Sequence, residues 1–271
     1  MLRERILTAI VLLAGLLASV LWLPRVGWIA LVGVFVAAAA WEWASLARLG
    51  SLSRGVYAGA MLAAGIWAGW DTGAGVHSVS SWLYGAAVVF WAVLAPVWLW
   101  ERPAFANPVM PLAAGAAVLV PCAAAMVALR GESPAVLLAI MAVVWISDIS
   151  AYFVGRRCGR NKLAPSISPG KTWEGVYGAF AAVTVYACGW IAVGGPKPLA
   201  LRHVALSEFW FVLMLLVLAG AGIAGDLLES QMKRQAGVKD SGALLPGHGG
   251  VLDRVDALLP VLPLAAIIFT N

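Results

Sequence analysis

The chain has 271 residues, of which 62% are apolar and 11% are charged, and its formal net charge is +5. This composition excludes a soluble globular domain, because such domains carry about 45–50% apolar and about 25% charged residues. The basic residues are not interleaved with aromatic residues as a nucleic-acid groove requires, so we expect no nucleic acid as a partner.

Apolar runs of membrane-spanning length recur along the whole chain. A hydrocarbon core about 30 Å thick needs about 20 predominantly apolar residues in a helix. We therefore predict an all-α, polytopic integral membrane protein with about nine transmembrane helices. In chain order the predicted spans are Ile6–Leu23, Val26–Leu46, Val56–Trp70, Ser81–Trp98, Val109–Leu129, Ala135–Val154, Val176–Val193, Phe209–Gly225 and Ala257–Phe269.

Lysine and arginine are distributed unequally between the two sides of these spans. If the N-terminus lies in the cytoplasm and the connections alternate sides, only Arg25, Arg130, Lys197 and Arg202 of the 18 basic residues face the opposite side. Cytoplasmic loops of membrane proteins carry an excess of Lys and Arg. This orientation is therefore favoured, and it places the polar loops of the C-terminal half in the cytoplasm.

Polar residues divide the chain into two regions of one membrane domain. Residues 1–130 form plain apolar spans, which predict an N-terminal transmembrane scaffold. In residues 131–271, acids such as Asp148, Glu174 and Asp226 enter the spans or their ends, which predicts a catalytic transmembrane region. Small residues allow helices in a membrane to approach closely, and four glycines are candidates for this role: Gly115, Gly178, Gly220 and Gly222.

The first strongly polar connection runs from Ser168 to Gly175, between the sixth and seventh spans. Its hydroxyl groups and the Lys171 ammonium are suited to an anionic ligand, and Pro169–Gly170 predicts a tight turn. Glu174 begins the next helix, where the helix dipole favours an acid. The run is not a nucleotide-binding P-loop, because the glycine spacing that such a loop requires before the lysine is missing.

The second polar segment begins where the eighth span ends. Asp226, Glu229, Ser230, Lys233 and Arg234 recur at steps of three and four residues, so they share one face of a helix. This face is either part of a site or the polar side of an ordinary amphipathic helix with internal ion pairs.

The residues that follow favour a site. Pro246–Gly250 is too rich in Gly and Pro for regular structure, and such glycines let backbone N–H groups approach an anion. Asp253 and Asp256 lie three residues apart on one helical face and would repel each other unless a cation or a proton lies between them. Mg²⁺ favours carboxylate oxygens and shares its sites with phosphates, and Asp226 is a candidate third carboxylate.

Residues 230–256 resemble the signature of the phosphatidate cytidylyltransferases, also called CDP-diacylglycerol synthases. That pattern is S-x-x-K-R, four residues, K-D, and then H-G-G-x-x-D-R-x-D. Its fixed positions are occupied by Ser230, Lys233, Arg234, Lys239, Asp240, His248, Gly249, Gly250, Asp253, Arg254 and Asp256. Residues 168–175 are similar to a second motif of the family, S-P-K-K-T-x-E-G, with Gly170 in place of one lysine.

The resemblance implies a multi-pass enzyme of the bacterial cytoplasmic (inner) membrane that makes CDP-diacylglycerol and pyrophosphate from CTP and phosphatidic acid. It also implies dependence on Mg²⁺, with K⁺ as a candidate second ion, contact with membrane lipids, and a homodimer. By position, the metal-site residues are Asp226, Asp253 and Asp256. The catalytic residues are Asp226, Lys239, Asp240, Asp253, Arg254 and Asp256. The substrate-binding residues are Asp148, Ser168, Lys171, Thr172, Glu174, Ser230, Lys233, Arg234, His248, Gly249 and Gly250.

Two other functions stay open at this point. One is a different CTP-dependent lipid transferase, similar to a polyprenol kinase or to an archaeal-type CDP-lipid synthase. The other is a transporter, which the sequence disfavours because transporter sites lie near the bilayer midplane, whereas the charges here lie at span ends and in loops.

Overall fold

The computed structural model describes residues 2–72, 79–103, 107–196, 207–244 and 249–270, with side chains described from Ile10 onward. Its architecture is a bundle of helices with one small β-hairpin, so the predicted all-α class is confirmed. The helices are α1 (Leu2–Trp22), α2 (Arg25–Leu46), α3 (Ser51–Asp71), α4 (Val79–Val89), α5 (Ala95–Glu101), α6 (Val109–Glu132), α7 (Pro134–Cys158), α8 (Trp173–Ala192), α9 (Ser207–Ala236), α10 (Leu252–Val255) and α11 (Leu258–Phe269).

Several of these helices are long and apolar enough to cross a membrane. Within the described residues, six stretches meet both conditions, and one of them joins α4 and α5 through the π-helical turn Phe90–Leu94. The apolar helices Ile10–Trp22 and Leu258–Phe269 are shorter. A polytopic membrane protein is thus confirmed, while the number of about nine spans stays a prediction.

Helix α9 extends well beyond the predicted end of its span at Gly225. No glycine or proline interrupts the residues from Asp226 to Ala236, so the helix continues and carries the polar face that the sequence predicted. It ends at Gly237, whose φ of 79° is easily adopted by glycine. The N–H of Val238 then donates to the carbonyl of Lys233 at 2.9 Å, a common way of closing a helix.

The polar connection between α7 and α8 is a β-hairpin. Strand β1 (Lys162–Ala164) pairs antiparallel with β2 (Ser168–Thr172). The prediction of a tight turn at Pro169–Gly170 is wrong, because both residues lie within β2. The chain reverses direction just before β2, where the N–H of Ile167 donates to the carbonyl of Ala164 at 3.2 Å. Proline is tolerated in β2 because the strand lies at an edge and does not need every N–H group.

Side-chain contacts join several polar connections at one end of the bundle. Arg48, after α2, donates to the carbonyl of Gln235 at 2.8 Å, and the Gln235 amide donates to the carbonyl of Pro103, after α5, at 3.0 Å. Arg234 Nε donates to the carbonyl of Ile167 in the hairpin at 3.3 Å. The connections that the sequence assigns to one side of the membrane therefore lie together.

The opposite end carries two of the four basic residues predicted there. Arg130 donates to the carbonyl of Val20 at 2.8 Å, so it closes the end of α6 against α1. Arg25 donates to carbonyl groups at the C-terminal end of α3. Lys197 and Arg202 lie outside the described residues.

Close helix approach explains most of the glycines singled out by the sequence. A Cβ added at Gly115 or Gly178 would lie 2.5 or 2.6 Å from neighbouring side-chain atoms, so the prediction is confirmed there. At Gly222 the nearest atom, on α11, would be 3.4 Å away. At Gly220 the added atom would make only an ordinary contact at 3.8 Å, and the prediction is wrong for that residue.

Candidate active site

The two polar segments meet through an ion pair. Lys171 Nζ on β2 lies 2.6 Å from Asp226 Oδ2 on α9, and both side chains keep part of their surface accessible. One turn further along α9, the hydroxyl of Ser230 donates to Asp226 Oδ1 at 3.1 Å. The hairpin and the end of α9 therefore contribute to one polar surface.

Asp256 belongs to the same surface. It lies between α10 and α11, where its Oδ1 accepts the N–H of Ala257 at 2.8 Å. Burial and the negative charges of Asp226 and Asp148 raise the pKa of Asp256, the Ala257 hydrogen bond and Lys171 lower it, and the net result is a pKa of about 8. We call Asp148, Asp226 and Asp256 the carboxylate cluster. An acid in such surroundings favours its neutral form or a nearby cation.

Asp253 has different partners from the carboxylate cluster. Its Oδ1 accepts from Lys233 Nζ at 2.6 Å, and its Oδ2 accepts the N–H groups of Ser241 at 2.9 Å and Gly250 at 2.8 Å. The Ser241 hydroxyl also lies 2.9 Å from Oδ2. Burial alone would raise the pKa of Asp253, but these hydrogen bonds outweigh it and lower this pKa to about 2. Asp253 therefore organises the loop around it.

The three predicted metal-site carboxylates do not form one ligand group. Among the described residues, no three His, Cys, Asp or Glu side chains have the arrangement of a metal site. Asp253 is occupied by its loop contacts and Asp226 by Lys171. The donor chemistry of the carboxylate cluster nevertheless suits a hard cation, because such cations take carboxylate oxygens and the negative charges of Asp226 and Asp148 act on Asp256.

Lys233 and Arg234, predicted to bind substrate, contact protein groups in the structure. Lys233 Nζ lies between Glu229 Oε2, at 2.5 Å, and Asp253 Oδ1, at 2.6 Å, and the Glu229 side chain is only 1% exposed. Arg234 binds the carbonyl of Ile167 in the hairpin. Lys233 therefore attaches α9 to α10, and Arg234 attaches α9 to the hairpin. Through these two residues the polar face of α9 makes structural contacts, which is one of the two alternatives that the sequence left open.

Three predicted substrate residues shape the hairpin and the start of α8. Thr172 Oγ1 accepts the N–H of Gly175 at 3.2 Å and so caps the helix. Glu174 accepts the side-chain amide of Asn161 at 2.8 Å together with backbone N–H groups before β1. Ser168 lies opposite Ala164 in the hairpin. These contacts hold Lys171 in place on β2.

The remaining predicted residues lie on or beside the connection between α9 and α10. Lys239 and Asp240 are exposed, and Arg254 is exposed on α10. Gly249 has a φ of 82°, a conformation that glycine adopts readily. His248 lies outside the described residues.

One acidic residue at this end of the bundle was not among the predicted site residues. Glu42 of α2 is 1% exposed. Its carboxylate accepts hydrogen bonds from the N–H groups of Val251 and Leu252 and from the hydroxyl of Ser241. The sequence did carry a signal: Glu42 is a single acid between two tryptophans in an apolar span, and ionisable residues in spans are usually functional.

Comparison with known proteins agrees with the motifs. Residues 3–271 match the model of the cytidylyltransferase family. The chain belongs to that family.

It is 36% identical over 272 residues to a phosphatidate cytidylyltransferase of Pseudomonas aeruginosa, covering 98% of this chain and 96% of the relative. It is 33% identical over 290 residues to the enzyme of that name in Haemophilus influenzae, covering 97% and 96%. A Brucella abortus relative of the same name is 47% identical over 134 residues, 48% of this chain and 46% of the relative. The family resemblance is therefore confirmed.

Proposed function

We propose that this protein is a phosphatidate cytidylyltransferase, which makes CDP-diacylglycerol and pyrophosphate from CTP and phosphatidic acid. The observation that carries the proposal is the Lys171–Asp226 ion pair, because Asp226 also accepts from Ser230, so it links the hairpin motif to the first residue of the signature. Relatives that match nearly the whole chain and bear this name support it.

The reaction mainly requires that the negative charges of the two substrates are compensated and that their reacting groups are positioned. An oxygen of the lipid phosphate forms a bond to the α-phosphorus of CTP, and the bond to the β-phosphate breaks, so pyrophosphate leaves. That oxygen is largely ionised at neutral pH, so no side chain has to remove a proton from it. Two polyanions must come together, and this favours preorganised cations over covalent chemistry.

The residues at the end of the bundle suit this task. Lys171 offers an ammonium group to phosphate, and its ion pair with Asp226 holds that group at the carboxylate cluster. Asp226 and Asp256, with Asp148 beside them, would hold Mg²⁺, which supplies positive charge to the phosphates of CTP when it is bound. Asp253, Lys233 and Arg234 hold the loop, α9 and the hairpin in position around Lys171 and the carboxylate cluster.

A substrate-omission assay tests the proposal. Purified protein should release pyrophosphate only when CTP, phosphatidic acid and Mg²⁺ are all present, and CDP-diacylglycerol should form in equal amount. Release of CDP in the presence of a polyprenol would instead indicate a kinase, and product formation with an archaeal-type ether lipid alone would indicate the related synthase. Flux of a charged solute into liposomes without pyrophosphate release would indicate a transporter.

We also propose that the site faces the cytoplasm of a bacterial inner membrane. Helix α7 separates Glu132 from Lys162, so cysteines at these two positions report on opposite ends of the bundle. In a variant without the three native cysteines, an impermeant thiol reagent should label a cysteine at 132 in spheroplasts. Cysteines at 162 and 239 should react only after permeabilisation. Labelling of 162 and 239 but not 132 in sealed spheroplasts would reverse the orientation.

The second ion and the oligomeric state rest on the family resemblance alone. K⁺ stays a prediction for an ion beside Mg²⁺, and the homodimer stays a prediction for the assembly. Contact with membrane lipids follows from the exposed apolar side chains of the spans, such as Leu21, Val34 and Val217.

A further inference from the structure

Glu42 links the N-terminal helices to the loop that leads into α10. Its Oε1 accepts the N–H of Val251 at 3.0 Å. Its Oε2 accepts the N–H of Leu252 at 2.8 Å and the hydroxyl of Ser241 at 2.9 Å. All three donors belong to the segment that contains the family signature. This is a large number of hydrogen bonds for one buried side chain, and losing them would leave buried polar groups without partners.

The loop is shaped around the Glu42 carboxylate. A Cβ added at Gly250 would lie 2.4 Å from Glu42 Oε2, and one added at Gly242 would lie 2.4 Å from Oε1. Neither distance is compatible with a side chain, so the loop backbone approaches the carboxylate as closely as glycine allows. The position of the loop is therefore set by direct contact with α2.

The same contacts lead to the carboxylate cluster. The Ser241 hydroxyl lies 2.9 Å from Glu42 Oε2 and 2.9 Å from Asp253 Oδ2, and its single proton can be donated to only one of them at a time. Ser241 and Gly250 also donate their N–H groups to Asp253. Asp253 lies on α10 and Asp256 directly follows that helix, so a shift of the loop moves both.

We propose that Glu42 is a positioning residue for the transfer reaction. By holding Ser241 and the first N–H groups of α10, it fixes the place of Asp256 relative to Asp226 and Lys171. Glu42 does this without touching the substrate, through hydrogen bonds that cross from the predicted scaffold region to the catalytic region. The inference rests on the proposed function, since it assigns Glu42 a part in that reaction.

Replacement of Glu42 by Gln tests the inference with a side chain of nearly the same size. The amide keeps one acceptor oxygen but turns an N–H₂ donor toward groups that are themselves donors. We expect kcat for pyrophosphate release to fall by about ten- to a hundredfold, the effect of a small misplacement of reacting groups, with little change in KM for CTP. Hydrogen exchange at the amides of Val251 and Leu252 should become faster. Glu132→Gln, an exposed acid at the other end of the bundle, is the matched control.

The possible outcomes are distinct. If the kcat of Glu42→Gln, measured per folded molecule, equals that of the wild-type protein, Glu42 only stabilises the fold and the inference is overturned. If Glu42→Gln fails to fold, Ser241→Ala replaces it: lower kcat at an unchanged melting temperature is expected, and unchanged kcat overturns the inference. When both variants fold, their effects on kcat should be non-additive, because they act through one network. A wild-type protein that releases no pyrophosphate contradicts the proposed function instead.

Discussion

Replacement of Asp256 by Asn is expected to lower kcat by roughly three orders of magnitude, as the loss of a preorganised charge at a reacting centre does. The Asn side chain has the same size and keeps the carbonyl oxygen that accepts the N–H of Ala257. It cannot ionise as Asp256 would beside a cation, so it weakens the proposed hold on Mg²⁺. The fold should survive, because no hydrogen bond described for Asp256 is lost.

Stability measurements separate this effect from unfolding. Burial and the nearby Asp226 charge raise the pKa of Asp256 to about 8, so the ionised form is disfavoured in the folded protein. Because Asn is always neutral, Asp256→Asn should leave the melting temperature without Mg²⁺ unchanged or higher. Added Mg²⁺ should stabilise the wild-type protein, because a ligand that binds the folded state raises its stability. Asp256→Asn should lose most of that increase.

Asp253→Asn provides the contrast. Asp253 accepts from Lys233, Ser241 and Gly250, so its replacement leaves the Lys233 ammonium with Glu229 as its acid partner among the described residues. We expect a lower melting temperature with or without Mg²⁺. Near-normal kcat of Asp256→Asn at saturating Mg²⁺ would contradict the assignment of Asp256 to the metal site.

Replacement of Lys171 by Ala is expected to lower kcat/KM for CTP by about ten- to a hundredfold, which corresponds to the loss of a hydrogen bond to a charged group. Lys171 contacts the carboxylate cluster directly, through Asp226. Without it, the phosphates lose a counter-charge and Asp226 loses its partner. Initial rates measured across a range of CTP concentrations give the effect.

Lys162→Ala is the matched control for Lys171. Both lysines belong to the same hairpin, but Lys162 lies on β1 and is exposed. Its removal changes the net charge of the protein by the same amount and should leave kcat/KM for CTP close to that of the wild type. Equal losses in the two variants would mean that the hairpin attracts CTP only through its overall charge, and Lys171 would lose its specific role.

The helices could be predicted well from the sequence because a membrane demands long apolar runs. The second span, predicted over Val26–Leu46, is α2 at Arg25–Leu46. The hairpin could not be predicted in this way, since strands of three and five residues show too little alternation to be recognised. Its register depends on tertiary contacts, among them the burial of Ile167 and Thr172.

The site could be predicted as a collection of residues but not as a set of partners. The i, i+4 spacing of Glu229 and Lys233 indicates their ion pair on α9. Nothing in the sequence indicates that Lys233 also binds Asp253, twenty residues later, and so is engaged by protein groups. The motif positions show which residue types are present. Which of the lysines and arginines can bind phosphate, and which are engaged in holding the loop, depends on how α9 packs against α10.

The contact between Glu42 and α10 also has a consequence for the order in which the protein is made. Glu42 is synthesised 210 residues before Leu252, whose N–H group it binds, and translation at about 5–20 residues per second makes that gap roughly 10 to 40 s. Throughout this time the carboxyl group on α2 lacks all three of its donors, and an acid in an apolar helix must stay near water until it finds partners. Helix α2 can therefore reach its final packing only after the ribosome has delivered α10.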